Sequence, residues 1–572
     1  MKTLGYKLGL WMTCLFLAVS CNDFLEEDLD GFLMATGSFS KKSDLDGAVN
    51  VVFRQVSRST FGLSQFIHAQ AGDDLSTHPA SNKAMIREWD QYNISTDNDR
   101  LLLCWQDKFK VVRAANYLLS NAEGTPGATQ TEIDQAVGQA LFWRAWAYFY
   151  LVRAYGPLPK VLTADMDYTL PLSPVSEIFD QIVSDLKEAE QKLPIRYTEP
   201  PLAMGNVNVA PNKGAAQSVL SYVYLTMAGW PLNKGTEYYN LAAEKALEVI
   251  NGAENGTYYY ELYDEYWKIH SKQENHQNRE AICAVYYSLT FGDGDGSEAA
   301  RGIINDAPDC AHGWVDTRAE IGYWVGFPDG PRKAATYPEW TIDLNQEGKA
   351  FRWWNLGWDK ANQSFNDHDR TPYFGKSGFT NDNNRAGTYE YDFTIDRELQ
   401  NNGWGEQIHQ LVRLSEVYLF YAEAVGRAGR TDARAIELLN KVRNRADGFG
   451  PVAVRPEGQN VYPVGISADQ LAEAAYNEHG WEIAGWYWGA IAPRVNDMQR
   501  MDRIKDFFNK RKSNPEYVFT DPDTGEEVRA HELFGVEGEW SQSKMYAPYP
   551  SQDARRNPAL SITTEEKLTL IN

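Results

Sequence analysis

Residues 411–447, LVRLSEVYLFYAEAVGRAGRTDARAIELLNKVRNRAD, constrain this chain more than any other stretch. Leu414, Val417, Tyr418, Tyr421, Ala422 and Val425 recur at three- and four-residue steps and place one apolar face on a helix. Ala435, Ile436, Leu439, Val442 and Ala446 repeat the pattern on a second helix. Between them, Gly429 suits a left-handed helix stop, and Thr431 or Asp432 suits the next N-cap. Small Ala422 and Ala435 permit close approach of the two helices. The stretch therefore predicts a helical hairpin of the tetratricopeptide kind, a unit that buries its face only by stacking on others.

Further helices are legible. Residues 44–57 and 101–121 carry Leu45, Ala48, Val52, Trp105, Phe109 and Val112 at helical spacing. In 131–155, Ala140, Ala147 and Ala154 alternate with Trp143 and Tyr150, and Gly156-Pro157 ends the run. Residues 176–193, 213–228 and 238–250 continue the series. These give about four helix pairs, at 43–121, 131–193, 212–250 and 411–447. The expected fold class is mainly α: a tetratricopeptide-like scaffold of helical hairpins with a large irregular, aromatic-rich insertion and a few short strands. The insertion is 251–408, where turn residues and rings replace helical periodicity and a short strand is expected at 281–289. A C-terminal region, 448–572, adds a helix at 469–484 and a β-hairpin at 517–529 turning through 521–525.

The 572 residues, 43% hydrophobic and 23% charged, exclude a disordered chain, and residues 21–572 are read as a single body. A net charge of −23 argues against nucleic acid as a partner, because phosphate backbones demand a basic footprint. Eighteen Trp and 32 Tyr exceed what helix cores use, so some rings are expected at a surface or in a cleft. The long connection 61–99, with His68, Asp73, Asp74, His78, Trp89 and Tyr92, is expected to be functional. Cys104, Cys283 and Cys310 lack metal or redox spacing and are expected as small buried apolar residues.

The N-terminus reads as an address. Lys2 and Lys7 precede the apolar run 8–19, too short to span a bilayer, so 1–20 is expected to be a signal peptide. Leu17-Ala18-Val19-Ser20-Cys21 resembles a bacterial lipobox, which makes Cys21 the acylated residue and the protein membrane-anchored rather than membrane-spanning. The alternative is an ordinary signal peptide with Cys21 incidental.

Five segments in order resemble the SusD/RagB family of outer-membrane lipoproteins. They are Cys21-Asn22-Asp23-Phe24-Leu25, the helix 142–159 ending in Tyr155-Gly156-Pro157-Leu158-Pro159, Lys213-Gly214-Ala215-Ala216, the opening stretch from Arg413 to Ala424, and Arg494 to Arg500. The resemblance implies a lipid-anchored, surface-exposed outer-membrane protein that binds glycan without catalysis. It further implies handover of ligand to a SusC-like TonB-dependent transporter.

Sugar recognition needs flat ring faces for the C–H side of a pyranose and polar groups for its hydroxyls. The candidate ligand-binding residues are Asp73, Trp89, Trp314, Tyr323, Trp324 and Trp353, with Asp74, Tyr92 and Trp354 behind them. Each ring has a core reading of comparable weight. No cofactor is expected. Asp293, Asp295 and Glu298, and Asp521, Asp523 and Glu532, offer calcium-type oxygens but lack a calcium-hand glycine and are read as solvated turns. Glu478 and Glu482 are expected to pair with arginine rather than to catalyse. Peptide or glycopeptide cargo, and a surface glycosidase, are the alternative functions.

Overall fold

The computed structural model describes residues 39–572 apart from 61–62, 78–82, 166, 271–274, 288–316, 338–339, 344–348, 356–357, 360–363, 366–371, 373–407, 486–489 and 533–534. Cys21, Trp314, Asp293, Asp295, Glu298 and Cys310 lie outside the described residues.

Helices dominate. In chain order, those used below begin with α1 (Lys42–Thr60), α2 (Ala84–Asp90), α3 (Asp99–Asn121), α4 (Gln130–Tyr155), α5 (Val175–Lys192), α6 (Lys213–Ala228) and α7 (Thr236–Glu254). After short α8 (Ile321–Gly326) and α9 (Pro331–Thr336) come α10 (Leu414–Arg427), α11 (Ala433–Ala446), α12 (Ala468–Ile483), α13 (Arg494–Arg500) and α14 (Ile504–Lys512). Strands used below are β1 (Leu75–Ser76), β2 (Ala281–Val285), β3 (Arg318–Ala319), β4 (His409–Arg413), β5 (Glu516–Thr520) and β6 (Glu527–His531). No described helix is long and apolar enough to cross a membrane.

Local chemistry sets the helix ends. Thr129 and Glu132 form a capping box on α4, and Gly156 stops it at φ 81°. In the hairpin α10–α11, Gly429 adopts φ 75°, and Asp432 rather than Thr431 is the N-cap, accepting from Ala435 N at 2.6 Å. Ser467 and Gln470 cap α12 in the same reciprocal way.

The centre of the wall is α4, whose residues from Gly138 to Tyr155 are all buried. It packs on α1, α3 and α5; α5 packs on α6, and α6 on α7. The late helix α10 then lies against α7, α12 and α11, so the chain returns to the wall after the insertion. That return is fixed by β4 pairing antiparallel with β2, His409 opposite Val285 and Arg413 opposite Ala281. The C-terminal tail is stapled onto the early helices: Val175 N and Ser176 N donate to Leu570 O and Ile571 O, and Lys567 Nζ to Tyr155 O at 3.0 Å. Cys104 and Cys283 are buried and form no disulfide, and the Cys104 sulfur lies 3.3 Å from the Tyr150 hydroxyl.

One expectation fails at the hairpin β5–β6. Asp521 and Glu532 are buried, not solvated. Asp521 accepts from Trp354 Nε1 at 2.9 Å and from Asp523 N at 2.8 Å, while Glu532 pairs with Arg511. The carboxylates are consumed in anchoring the hairpin.

Candidate ligand-binding cleft

The connection after α1 makes a short 3-10 helix, Leu63–Ala71, and then turns at Gly72 into Asp73 and β1. Antiparallel pairing of Leu75 with Ala319 and Ser76 with Arg318 carries that turn to the start of α8. Glu320 N donates to Asp74 O at 3.1 Å, and the Glu320 carboxylate caps α8 by accepting from Tyr323 N at 2.6 Å. The facing wall comes from α12, where Tyr476, Asn477, Gly480 and Trp481 share one helical face, and from α13 and α14. Together these segments enclose an open cleft of about 400 Å3.

Arg494 crosses its floor. The side chain is 7% exposed and donates twice to Asp73, from Nε at 2.6 Å and Nη2 at 3.0 Å. Its guanidinium carbon lies 4.4 Å from the Tyr476 ring centre, and that of Arg503 lies 4.3 Å from the same ring. Arg503 is held in turn by Glu473 at 2.7 Å. Gly480 is required here: a Cβ on it would stand 2.6 Å from the Tyr323 hydroxyl and 2.9 Å from Arg494 Nη1. Tyr323 and Trp481 are half-buried, and exposed Asn477, Asp506 and Lys510 line the rim.

Acids crowd beneath the floor. Burial first, and Asp73 second, push the Asp74 carboxyl up to about 7, against one hydrogen bond from Gly485 N at 2.8 Å. Burial also raises Glu320. Glu532 is pushed up to about 8, by burial and then by Glu320 and Asp90 against the opposing pull of Arg511.

Of the ring and acid candidates, Asp73 and Tyr323 line this cleft. Trp89, Trp324 and Trp353 do not. Trp89 is 1% exposed and meets His68 edge-on at 5.9 Å. Trp324 and Trp353, 5% and 0% exposed, pack perpendicular to each other at 5.0 Å, with Trp354 and Phe519 completing the cluster. A sugar platform needs an open ring face, and edge-to-face packing has spent these faces on each other. The cleft residues that the ring-centred reading passed over are Tyr476, Trp481, Arg494 and Arg503. Their signal was a glycine inside a helical pattern, Gly480, flanked at helical spacing by Tyr476 and Trp481.

Glu478 and Glu482 do pair with arginine. Glu478 accepts from Arg332 at 2.7 Å, Arg443 at 3.2 Å and the Tyr462 hydroxyl at 2.5 Å. Glu482 accepts from Arg332 and Arg413, each at 3.2 Å, and from Arg445. The described residues contain no group of three or more His, Cys, Asp or Glu placed to hold a metal ion.

A wall of helical hairpins carrying an open, ring-flanked polar cleft defines a mainly α scaffold with room for a small ligand. Two family profiles match it: one described as starch-binding associating with outer membrane, over residues 23–225, and one described as the SusD family, over 328–564. A SusD-like protein of Bacteroides ovatus is 22% identical over 617 residues, covering 97% of each chain. SusD-like protein P2 of Formosa agariphila is 21% identical over 509 residues, 84% of this chain and 89% of that one. A protein solved with xylogluco-oligosaccharide superposes with a TM-score of 0.66 at 18% identity, covering 90% of this chain and 98% of that one. The chain belongs to the SusD/RagB family.

Proposed function

We propose that this protein is a cell-surface glycan-binding protein, anchored in the outer membrane through lipid on Cys21, that captures oligosaccharide and passes it to a SusC-like TonB-dependent transporter. The observation that carries the reading is the cleft itself. It sets the partly open rings of Tyr323 and Trp481 beside Asn477, Asp506, Arg503 and Lys510 on a SusD-family scaffold. Rings take the C–H face of a pyranose, and the polar rim selects its hydroxyls.

Supporting this reading, a family profile described as starch-binding matches the N-terminal third, and a structural relative was solved with an oligosaccharide. Binding rather than hydrolysis is favoured by how the carboxylates are spent. Asp73 gives both oxygens to Arg494, and Glu320 gives one to the cap of α8. A glycosidase needs two carboxyl groups free to exchange protons and attack across one bond.

The test is a panel of soluble polysaccharides and oligosaccharides against the purified full chain, by calorimetry. Binding of at least one glycan, weakened in Trp481→Ala and Tyr323→Ala, is expected. Absence of binding across the panel, or steady release of reducing ends from it, overturns the proposal.

A further inference from the structure

Behind the cleft wall, three carboxylates gather about one guanidinium. Asp90 of α2, Glu320 at the start of α8, Glu532 at the end of β6 and Arg511 of α14 are all buried. Arg511 serves two of the acids. Its Nη1 and Nη2 donate to the Asp90 carboxylate at 3.0 and 3.2 Å, Nη1 donates again to Asp90 O at 2.6 Å, and Nε donates to Glu532. The Thr77 hydroxyl also donates to Asp90, at 2.8 Å. Glu320 is held by neutral donors instead, Tyr323 N at 2.6 Å and the Tyr517 hydroxyl of β5.

Three negative charges here would outnumber the positive ones. Arg511 offsets one carboxylate, and Asp90, with both Nη donors and a hydroxyl, takes the larger share. Lys510 draws on Glu320 only from the exposed rim. The Tyr92 hydroxyl donates away, to Ala71 O at 2.6 Å. Glu516, Arg529 and His531 pair among themselves on the exposed face of the hairpin. Glu320 and Glu532 are thus two buried acids with too little positive charge between them, and such a pair keeps a proton. Burial raises both, and Glu320 adds to the rise of Glu532 to about 8. The β5–β6 hairpin is anchored at two ends. Its tip is pinned by Trp354 on Asp521 at 2.9 Å and Arg352 on Asp523 at 2.6 Å. Its base is held by Glu532 and Tyr517, and there it backs the cleft: a Cβ on Gly322 would stand 2.3 Å from the Tyr517 hydroxyl.

We propose that the base of the β5–β6 hairpin is a proton-dependent latch, closed onto α8 by one proton held on the Glu320–Glu532 pair. Loss of that proton to water leaves two like charges between α8 and β6, and the base opens while the tip stays pinned. The direction follows from the acids holding their proton more firmly in the fold than in the unfolded chain. The closing contribution is complete below pH 4.5 and is lost as pH rises through about 8. Opening withdraws Tyr517 from Gly322, so the α8 side of the cleft loosens at alkaline pH. The latch stands whatever the cleft binds.

The experiment is hydrogen exchange on the full chain at pH 6.5 and pH 9, with labelling times scaled to the intrinsic rate at each pH so that protection factors are compared. Protection at the base, residues 516–517 and 530–532, is expected to fall at least about tenfold at pH 9, while the tip, 519–521 and 526–528, keeps its own. The tip is the internal reference, which separates this proton from any that acts on the whole fold. Glu532→Gln keeps an oxygen for Arg511 Nε and removes one charge of the pair; Glu320→Gln keeps an oxygen for Tyr323 N and removes the other. In either folded variant the base should stay protected at pH 9. Base and tip losing protection together in the parent, or a base that loses protection equally in both variants, overturns the latch. So does a parent whose base is as protected at pH 9 as at pH 6.5.

Discussion

His479 on α12 and Asp497 on α13 meet in the core at 2.5 Å between Nδ1 and Oδ2. The other ring nitrogen faces Glu416 of α10 at 3.4 Å. Asp497 is further held by the Tyr222 hydroxyl of α6 at 3.0 Å and by Arg500, which also pairs with Glu423. One imidazole thus ties the helices that form the cleft wall to the hairpin that closes the scaffold.

This contact makes stability depend on pH from the alkaline side. Burial works against the imidazolium, but Asp497 and then Glu416 outweigh it and push the His479 pKa from 6.5 up to about 9. The folded protein therefore holds the proton more tightly than the unfolded chain, and the gain is complete below pH 6.5. It is lost as pH rises through about 9, and it is worth about 3 kcal/mol at most. Denaturant midpoints should fall between pH 6 and pH 9.5, and His479→Gln should lower the midpoint at pH 6 while flattening that slope. An unaltered slope in the variant would assign it to another group.

Asp74 works in the same direction through a different cause. Its carboxyl, raised from 3.8 to about 7, is happiest neutral in the fold, so stability is full below pH 3.8 and declines until about pH 7. Asp74→Asn keeps an oxygen for Gly485 N and removes the charge. Its melting temperature should exceed that of the parent at pH 8, by an amount equivalent to about 2–4 kcal/mol, and the gap should close toward pH 4. A variant less stable than the parent at pH 8 would show that the charge is compensated.

How much of this was legible follows from what each residue's partners are. Gly429, Asp432 and the apolar stripes of α10 and α11 act over a few residues, so their spacing announces the hairpin. Rings are different. Trp324, Trp353 and Trp481 look alike in a sequence, and only tertiary packing decides that the first two face each other while the third stays partly open. Arg494 reaches Asp73 across 421 positions of chain, a pairing that no local pattern encodes. The β-hairpin at 516–531 was visible from its turn residues, yet the burial of Asp521 and Glu532 depends on Trp354 and Arg511, brought from elsewhere.

Gly480 offers a way to fill the cleft from inside. An added methyl would stand 2.6 Å from the Tyr323 hydroxyl and 2.9 Å from Arg494 Nη1, both too close for van der Waals contact. Tyr323 is half-buried and can swing outward, whereas Arg494 is pinned by Asp73. Gly480→Ala should therefore displace Tyr323 into the cleft, weakening ligand about tenfold or more while costing about 1–3 kcal/mol of stability. Calorimetry alongside thermal melts checks both halves, and full affinity in the variant would place ligand elsewhere.

Trp353 and Trp481 separate core from site. Trp353 is fully buried among Trp324, Trp354 and Phe519, so Trp353→Ala removes a ring from a packed cluster and should cost about 3–5 kcal/mol. Its effect on affinity, measured well below the melting temperature, should be small because no face of the ring reaches solvent. Trp481 is half-buried on the cleft wall, with Phe327 at 6.2 Å and the Arg332 guanidinium at 6.0 Å behind it. Trp481→Ala should give the inverse pattern: a modest loss of stability, about 1–2 kcal/mol, and a large loss of glycan affinity. Thermal melts and calorimetry on the two variants in parallel read out the difference. If Trp353→Ala abolishes binding in a protein that still melts cooperatively, the buried cluster supports the ligand surface directly and the cleft is not where affinity resides.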